Sequence, residues 1–466
     1  MAVSREMMSA IAVTRFGLGA RPGELADVAA DPAGWLRGQI RPAEGADQPQ
    51  AAPETAMTRL QAFREYRADV AAARREGDAT ERDPVQIAAR MLREGTAVDF
   101  LARARLAATT PAGFRERWTL FWANHFTVSA VKLITATVVG PFEQEAIRPH
   151  VFGRFEDLLV ASTAHPAMLL YLDQAQSVGP GSPAGQFLKR RPRPALRGGI
   201  NENLAREILE LHTVGVDGGY SQGDVTEFAR ALTGLSVGGL REAPAQQGAF
   251  LFRANAHEPG ARTIMARTYR PDGLEQAGAV LKDLAVHPAT ARHVCTKIAR
   301  HFVADDPPPS LVARLEAAWT ASGGHLTRVA EALISAPEAW EPAPRKFKTP
   351  YEFLISSWRA IGGQPAAIEH LAPPLRAMGQ QAFSPPSPKG WSEEAMTWAA
   401  PDAIIKRMGW SEGFSAVVAA DLDPNAIAAG ALGARLGEPV RKAVARAESR
   451  QEALSILLMS PEFQRR

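Results

Sequence analysis

The chain of 466 residues has a single cysteine, Cys295, which excludes an internal disulfide, a paired-thiol redox centre and a CxxC metal site. Charge of one sign is equally scarce. The 53 basic and 50 acidic residues leave a net +3, so a pI near 9.1 does not by itself imply nucleic acid. No apolar run approaches the roughly 18 residues of a membrane span. The opening MAVSREMMSAIAVTR has no strong basic n-region, so neither a Sec nor a twin-arginine leader is expected. Strand-like alternation is almost absent, which leaves helix as the dominant element.

Long helical patterns are what the sequence does have. They run over 54–75, 84–108, a helix opened by Pro111, 140–148, 155–172, 274–284, 288–302, 311–321, 327–335 and 350–361, with several short helices after Pro401. The fold class expected is therefore mainly α, a compact multi-helix body with at most a small β-hairpin formed by 248–252 and 262–266. In the helix after Pro111, Phe114, Trp118, Phe121, Trp122 and His125 recur at three- and four-residue steps. Such a stripe reads first as core, with His125 bonded to a backbone carbonyl, and otherwise as the wall of a site. His293, Lys297 and His301 also lie four apart and read as a solvated basic face.

The densest polar stretch is INENLAREILELHTVGVDGGY, residues 200–220. At about 100° per residue, Glu202, Asn203, Arg206, Glu207 and Glu210 share one arc of a helix and Leu204, Ile208 and Leu209 lie opposite. His212 falls on the apolar side just before Gly215, a residue type suited to ending a helix. The arc reads either as a solvated face stapled by Glu202–Arg206 and Arg206–Glu210, or as a cleft in which Glu207 and Glu210 shift one another's pKa and supply an acid and a base.

Other motifs fail on context. The glycines of RFGLGARPGE miss the dinucleotide fingerprint, and Gly234-Leu-Ser-Val-Gly238 has a helix before the serine where a nucleophile elbow needs a strand. His257-Glu-Pro-Gly has no second histidine at zincin spacing. The loop 176–199 carries Lys189, Arg190, Arg191, Arg193 and Arg197 among prolines and glycines, but lacks the interleaved aromatics of a nucleic-acid surface, so no nucleic acid is expected as a partner. FSPPSPKGW, 383–391, reads as a proline-rich surface loop whose Trp391 can fold back over a groove.

Taken together, RFGLGARPGE, WANHFTVS, HPAMLLYLDQAQSVGPGS, NENLAREILELHTVGVDGGY, HEPG, HPATARHVCTKIARHFVADDPPP and FSPPSPKGW resemble the bacterial family of domain of unknown function 1800. The likeness covers nearly the whole chain and implies one helical domain over 1–466, with an internal division at the loop 176–199. Asn124, His125, His165, Asp173, Glu202, Arg206, Glu207, Glu210, His212 and His257 match its motif positions. Ala123 stands where such sequences tend to have histidine, and Gln174 where they have asparagine, which puts a metal site built on the first motif in doubt. The resemblance also implies a neighbouring partner of the domain of unknown function 1501 family, similar to sulfatases and often twin-arginine exported.

Two functions follow as expectations. The first is a helical binding or assembly protein that partners the sulfatase-like neighbour, with Trp391 and its loop as the contact. The alternative is a hydrolase of glycans or esters, in which Glu207 or Glu210 acts as acid or base, His212, His125 and His257 carry protons or bind ligands, and Arg206 and Glu202 hold charge. No cofactor motif is evident, and a divalent metal stays open. The expected compartment is the cytoplasm, or the periplasm by co-export with the signal-bearing partner.

Overall fold

The helical periods of the sequence translate directly into structure. The computed structural model describes residues 3–51, 54–76, 82–190, 199–239 and 242–466, and 64% of the chain is helical. Among the described residues no helix is long and apolar enough to cross a membrane. The longest helices, Ala56–Glu76 and Arg82–Thr109, fall where the pattern placed them. Prolines set several boundaries. The expected helix over 155–172 is two helices, Phe155–Ala164 and Pro166–Tyr171, because Pro166 holds His165 in the extended region (φ −67°, ψ 136°). The imidazole of His165 then caps the second helix, accepting from the Ala167 amide at 3.1 Å. His287 repeats the device before Pro288, accepting from Ala289 at 3.2 Å.

A capping box opens Gln222–Leu232: Ser221 Oγ accepts from the Asp224 amide and Asp224 Oδ2 accepts from the Ser221 amide. In the stretch 176–199, expected as a loop, a helix forms over Pro183–Arg190, with Ser182 Oγ accepting from the Gly185 amide and proline at its first position. Residues 191–198, with Arg191, Arg193 and Arg197 and much of the expected internal division, lie outside the described residues.

The hairpin expectation needs correction. Strand β1 (Leu235–Val237) pairs antiparallel with β2 (Phe250–Phe252), Ser236 opposite Leu251. Strand β3 (Arg262–Ile264) pairs with β4 (Arg267–Tyr269), Thr263 opposite Thr268. Segments 248–252 and 262–266 therefore do not pair with each other. Between β3 and β4, Met265 and Ala266 both take positive φ (47° and 63°), the geometry of a two-residue hairpin turn, and the Met265 amide donates to Asp224 Oδ1 at 2.6 Å.

The core centres on the helix Gly113–His125, whose Phe114, Trp118, Phe121 and Trp122 are buried as a core stripe should be. Rings at about van der Waals contact continue outward: Phe16–Phe114 at 6.1 Å, Phe114–Phe302 at 5.9 Å, Trp122–Phe155 at 5.8 Å and Phe155–Trp319 at 4.9 Å. Arg115, Glu116, Arg117 and Thr119 of this helix are also buried, so each needs a partner. Gln39 Oε1 accepts from the Phe114 amide at 2.9 Å, Arg148 grips Glu116 in two bonds at 2.7 and 2.8 Å, and Arg117 pairs with Glu352. That last pair carries the helix to the edge of a cavity.

Candidate functional site

The cavity has a volume of about 120 Å³ and is lined by several parts of the chain, Val139, Phe142 and Glu143 among them. Helix Gly113–His125 gives Arg117, Ala123 and Asn124. Helix Arg82–Thr109 gives Phe100 and Arg103. The first turn of Pro350–Ala360 gives Tyr351 and Glu352, the last turn of Pro288–Phe302 gives His301, and the segment 380–393 gives Phe383, Trp391 and Glu393.

That segment is fastened as a wall. Asn124 binds the backbone of Trp391 twice, Nδ2 donating to the carbonyl at 3.0 Å and Oδ1 accepting from the amide at 2.8 Å. Ser129 Oγ donates to Pro385 O and the Ala130 amide to Phe383 O. Gly390 has φ +84°, and a Cβ there would stand 2.5 Å from Asn124 O, so the tight approach needs glycine. Trp391 is accordingly half-buried in the cavity wall, beside Trp398 at 6.2 Å, folded back over a groove as its loop suggested and not standing free as a contact.

Charge around the cavity is paired. Glu352 Oε1 accepts from Arg117 and from Arg466 Nη2 at 3.0 Å, and Oε2 accepts from the Thr349 amide at 2.9 Å, closing the capping box of helix Pro350–Ala360. Burial opposes ionisation of Glu352, but Arg117 and Arg466 outweigh it and hold the carboxyl well below its ordinary range. Arg103 bonds Glu143 at 3.0 Å and lies 4.6 Å from the rings of Phe100 and Phe383 and 4.8 Å from that of Tyr351.

Besides Nε of Arg103, two buried polar groups in this wall are left without partners. One is the Tyr351 hydroxyl, whose ring lies against the Arg103 guanidinium. Burial raises its pKa, so it stays protonated and can donate. The other is Nε2 of His301. His301 Nδ1 lies 2.9 Å from Glu393 Oε1, a pairing that assigns the proton to Nδ1 and leaves Nε2 an acceptor. The charges on this pair pull in opposite senses. Glu393 favours the imidazolium, whereas burial first, then Arg466 and Arg117, disfavours it, and burial prevails, so His301 is lowered. Burial likewise opposes charge on Glu393, yet His301, Lys346 and Arg466 bring it down to about 2.

The residues singled out in the central helix lie elsewhere. The segment is α-helical only over Asn203–Glu207 and turns π-helical over Ile208–His212, which breaks the 100° spacing assumed for the arc. Glu202 and Arg206 are each about one-third exposed and join Gln222 and Thr226 in a surface network, Glu202 Oε1 accepting from Thr226 at 2.7 Å. Glu207 is half-buried; burial first and Glu210 second raise its carboxyl, while Glu210 accepts from the Tyr220 hydroxyl at 3.4 Å. His212 is buried, and burial followed by Lys297 and His293 pushes it down to about 3. His125 is also buried and lowered; its Nε2 meets the carbonyl of His212 at 3.1 Å and the two rings are 6.1 Å apart. His257 Nδ1 meets the Thr233 carbonyl at 2.9 Å beside β1, well apart in the chain from the cavity walls. None of these seven residues lines the cavity.

The stripe His293, Lys297, His301, expected as a solvated face, turns inward. His301 is 7% exposed, His293 Nε2 meets Leu211 O at 3.2 Å, and the exposed face of the helix carries Arg292 instead. Burial pushes His293 down to about 4 and Lys297 down to about 8. Among the described residues no three His, Cys, Asp or Glu side chains are arranged to share a metal ion. Sequence reasoning passed over Arg117, Tyr351, Glu352 and Glu393. Thr349-Pro-Tyr-Glu352 does carry the capping-box signature, and Glu393 lies two residues beyond the Trp391 loop.

The fold and site define a mainly helical protein in which a small mixed cavity sits over a buried ion-pair network. The family model described as protein of unknown function, DUF1800, matches residues 11–465, and the chain belongs to that family. No curated protein and no solved structure matches it.

Proposed function

We propose that the cavity is a hydrolytic site for a small acyl ester, with His301 as general base. The observation that carries this reading is the His301–Glu393 pair at the cavity wall, with Nε2 buried and without a partner. A carboxylate on Nδ1 fixes tautomer and ring orientation, as in hydrolytic triads, and a neutral imidazole near pH 7 is competent to take a proton. Water is the nucleophile. His301 Nε2 accepts its proton as the water oxygen bonds to the acyl carbon, the carbonyl oxygen takes up the electron pair and accepts from the Tyr351 hydroxyl, and His301 then returns the proton to the departing alkoxide. The volume of about 120 Å³ compares with the roughly 150 Å³ cavity that admits benzene, which favours a short acyl group against Phe142, Phe383 and Trp391. The test is hydrolysis of p-nitrophenyl acetate and butyrate by the protein and by His301→Gln. A loss of about 100-fold or more is expected, and an equal rate in the two proteins rejects the reading.

A second reading, assembly with the sulfatase-like neighbour, draws on exposed apolar side chains: Met396 at 87%, Ile405 at 67% and Val417 at 81% exposure, the last two on the helix Pro401–Val418. Under it the chain resides in the cytoplasm or leaves with its partner. Co-purification of the pair that is unchanged by Ile405→Asp removes this surface from consideration.

A further inference from the structure

Away from the cavity, four buried cations make hydrogen bonds only to neutral acceptors. Arg15 donates to Ala339 O at 2.8 Å and Ala343 O at 2.6 Å. Lys348 donates to Ser356 Oγ at 2.9 Å, Arg407 to Gln464 Oε1 at 2.8 Å and Lys348 O at 2.7 Å, and Arg435 to Thr14 Oγ1 at 2.7 Å. All four are more than nine-tenths buried. Among the described residues none has a carboxylate at ion-pair distance. Glu352, the acid whose field reaches Lys348 and Arg407, is already bonded by Arg117 and Arg466. The other buried arginines of the core follow the opposite rule: Arg59 has Asp99, Arg148 has Glu116 and Glu143, and Arg359 has Glu24.

Arg435 is the least satisfied of the four. Its Nη1 reaches Thr14, but Nε and Nη2 are both buried and without an acceptor, and so is Nε of the neighbouring Arg15. Nε–H and Nη2–H form the guanidinium edge whose two parallel donors grip two oxygens of a carboxylate, phosphate or sulfate. Burial foremost, and then Arg15, pushes Arg435 down to about 9. The guanidinium stays charged, so its burial is a desolvation that no acid compensates. An anion at this edge would satisfy the empty donors and neutralise the repulsion between the two arginines.

We propose that the Nε/Nη2 edge of Arg435, backed by Arg15 on the helical turn Ala12–Phe16, is a binding site for a single small oxyanion of the phosphate type. The three unpartnered nitrogens, of which Nη2 carries two N–H bonds, suit a tetrahedral oxyanion, which offers oxygens in more directions than a planar carboxylate. The oxyanion can be the free ion or the phosphoryl group of a small ester.

Titration calorimetry of the full chain at constant ionic strength, with inorganic phosphate, glycerol phosphate and acetate in separate arms, tests the site. Saturable binding of inorganic phosphate or the ester, with weaker binding of acetate, is expected. Tighter binding of the ester assigns the phosphoryl group of a small molecule, and tighter binding of inorganic phosphate assigns the free ion. Arg435→Lys keeps the charge but not the two-pronged edge and should weaken binding about tenfold or more. Arg435→Met should abolish binding and, by removing an uncompensated buried charge, leave the unfolding midpoint in chloride equal or higher. Absence of phosphate and ester binding in the unmodified protein overturns the proposal, as does undiminished binding in Arg435→Lys. The second criterion applies even if Arg435→Met does not fold.

Discussion

Replacing Glu352 by glutamine tests the buried network more directly than any other single change. The carboxylate is shared by two guanidinium groups that are themselves 2% and 1% exposed, and its second oxygen caps the helix that carries Tyr351. Glutamine keeps the shape but removes the charge. Whichever way its amide is turned, either the arginines or the Thr349 amide then faces an NH₂ group. Breaking a buried ion pair from one side costs about 3–5 kcal/mol, because the remaining charge stays buried, and the lost cap accounts for about 1 kcal/mol of such an effect. Urea unfolding followed by tryptophan fluorescence measures the loss as a lower midpoint at unchanged slope. The pH dependence has a definite sign. The folded-state pKa of Glu352 lies below its ordinary value of 4.5, so its contribution is present above that pH and is lost as pH falls through the folded pKa. Glu352→Gln should therefore lose stability at neutral pH and show a flatter acid limb below 4.5. Replacing Arg117, Glu352 and Arg466 together by methionine should recover most of the loss. A single-mutant loss under about 1 kcal/mol would refute the view that Glu352 compensates both arginines.

Because burial lowers His301, esterase activity should rise with pH at values below 6.5 and be flat above it; a profile still rising between pH 7 and 9 would point to a different base. Asn124→Ala removes both bonds to Trp391 and should cost about 1–3 kcal/mol. It should also speed amide exchange at 390–393 ahead of the rest of the chain, and unchanged exchange there contradicts the role of Asn124 in holding the wall. Glu207 has a folded pKa above its usual 4.5, so its ionised form disfavours folding as pH rises past that value. Glu207→Gln should leave stability at pH 7 equal or higher, and destabilisation of about 1 kcal/mol or more would show that the carboxylate has a partner it needs.

Much of the fold was legible because its signals are local. A helix is specified by apolar residues three and four apart, by Ser221 with Asp224 at its start and by proline at its first position, all within a few residues of one another. The aromatic stripe of Phe114, Trp118 and Trp122 identified the core for the same reason. The same local reasoning went astray where a short segment had two partners to choose from, as with β2, which pairs with β1 across a loop, while β3 closes its own turn through two residues of positive φ. It also failed where a helix changed its pitch, as at Ile208–His212.

The site depended on contacts that no spacing in the chain records. His301 and Glu393 are 92 residues apart and Arg117 and Glu352 are 235 apart, and neither pair has a fixed offset that chemistry would require. The sequence by itself determined which faces were apolar, where helices began and to which family the chain belongs. It also supplied the central carboxylates, but the surface network around Glu202 and the half-buried position of Glu207 are properties of what packs against them. Only the tertiary structure decided which charges were buried, because the groups that pack around a charge, whether a carboxylate, a carbonyl or an aromatic ring, can come from any distance along the chain.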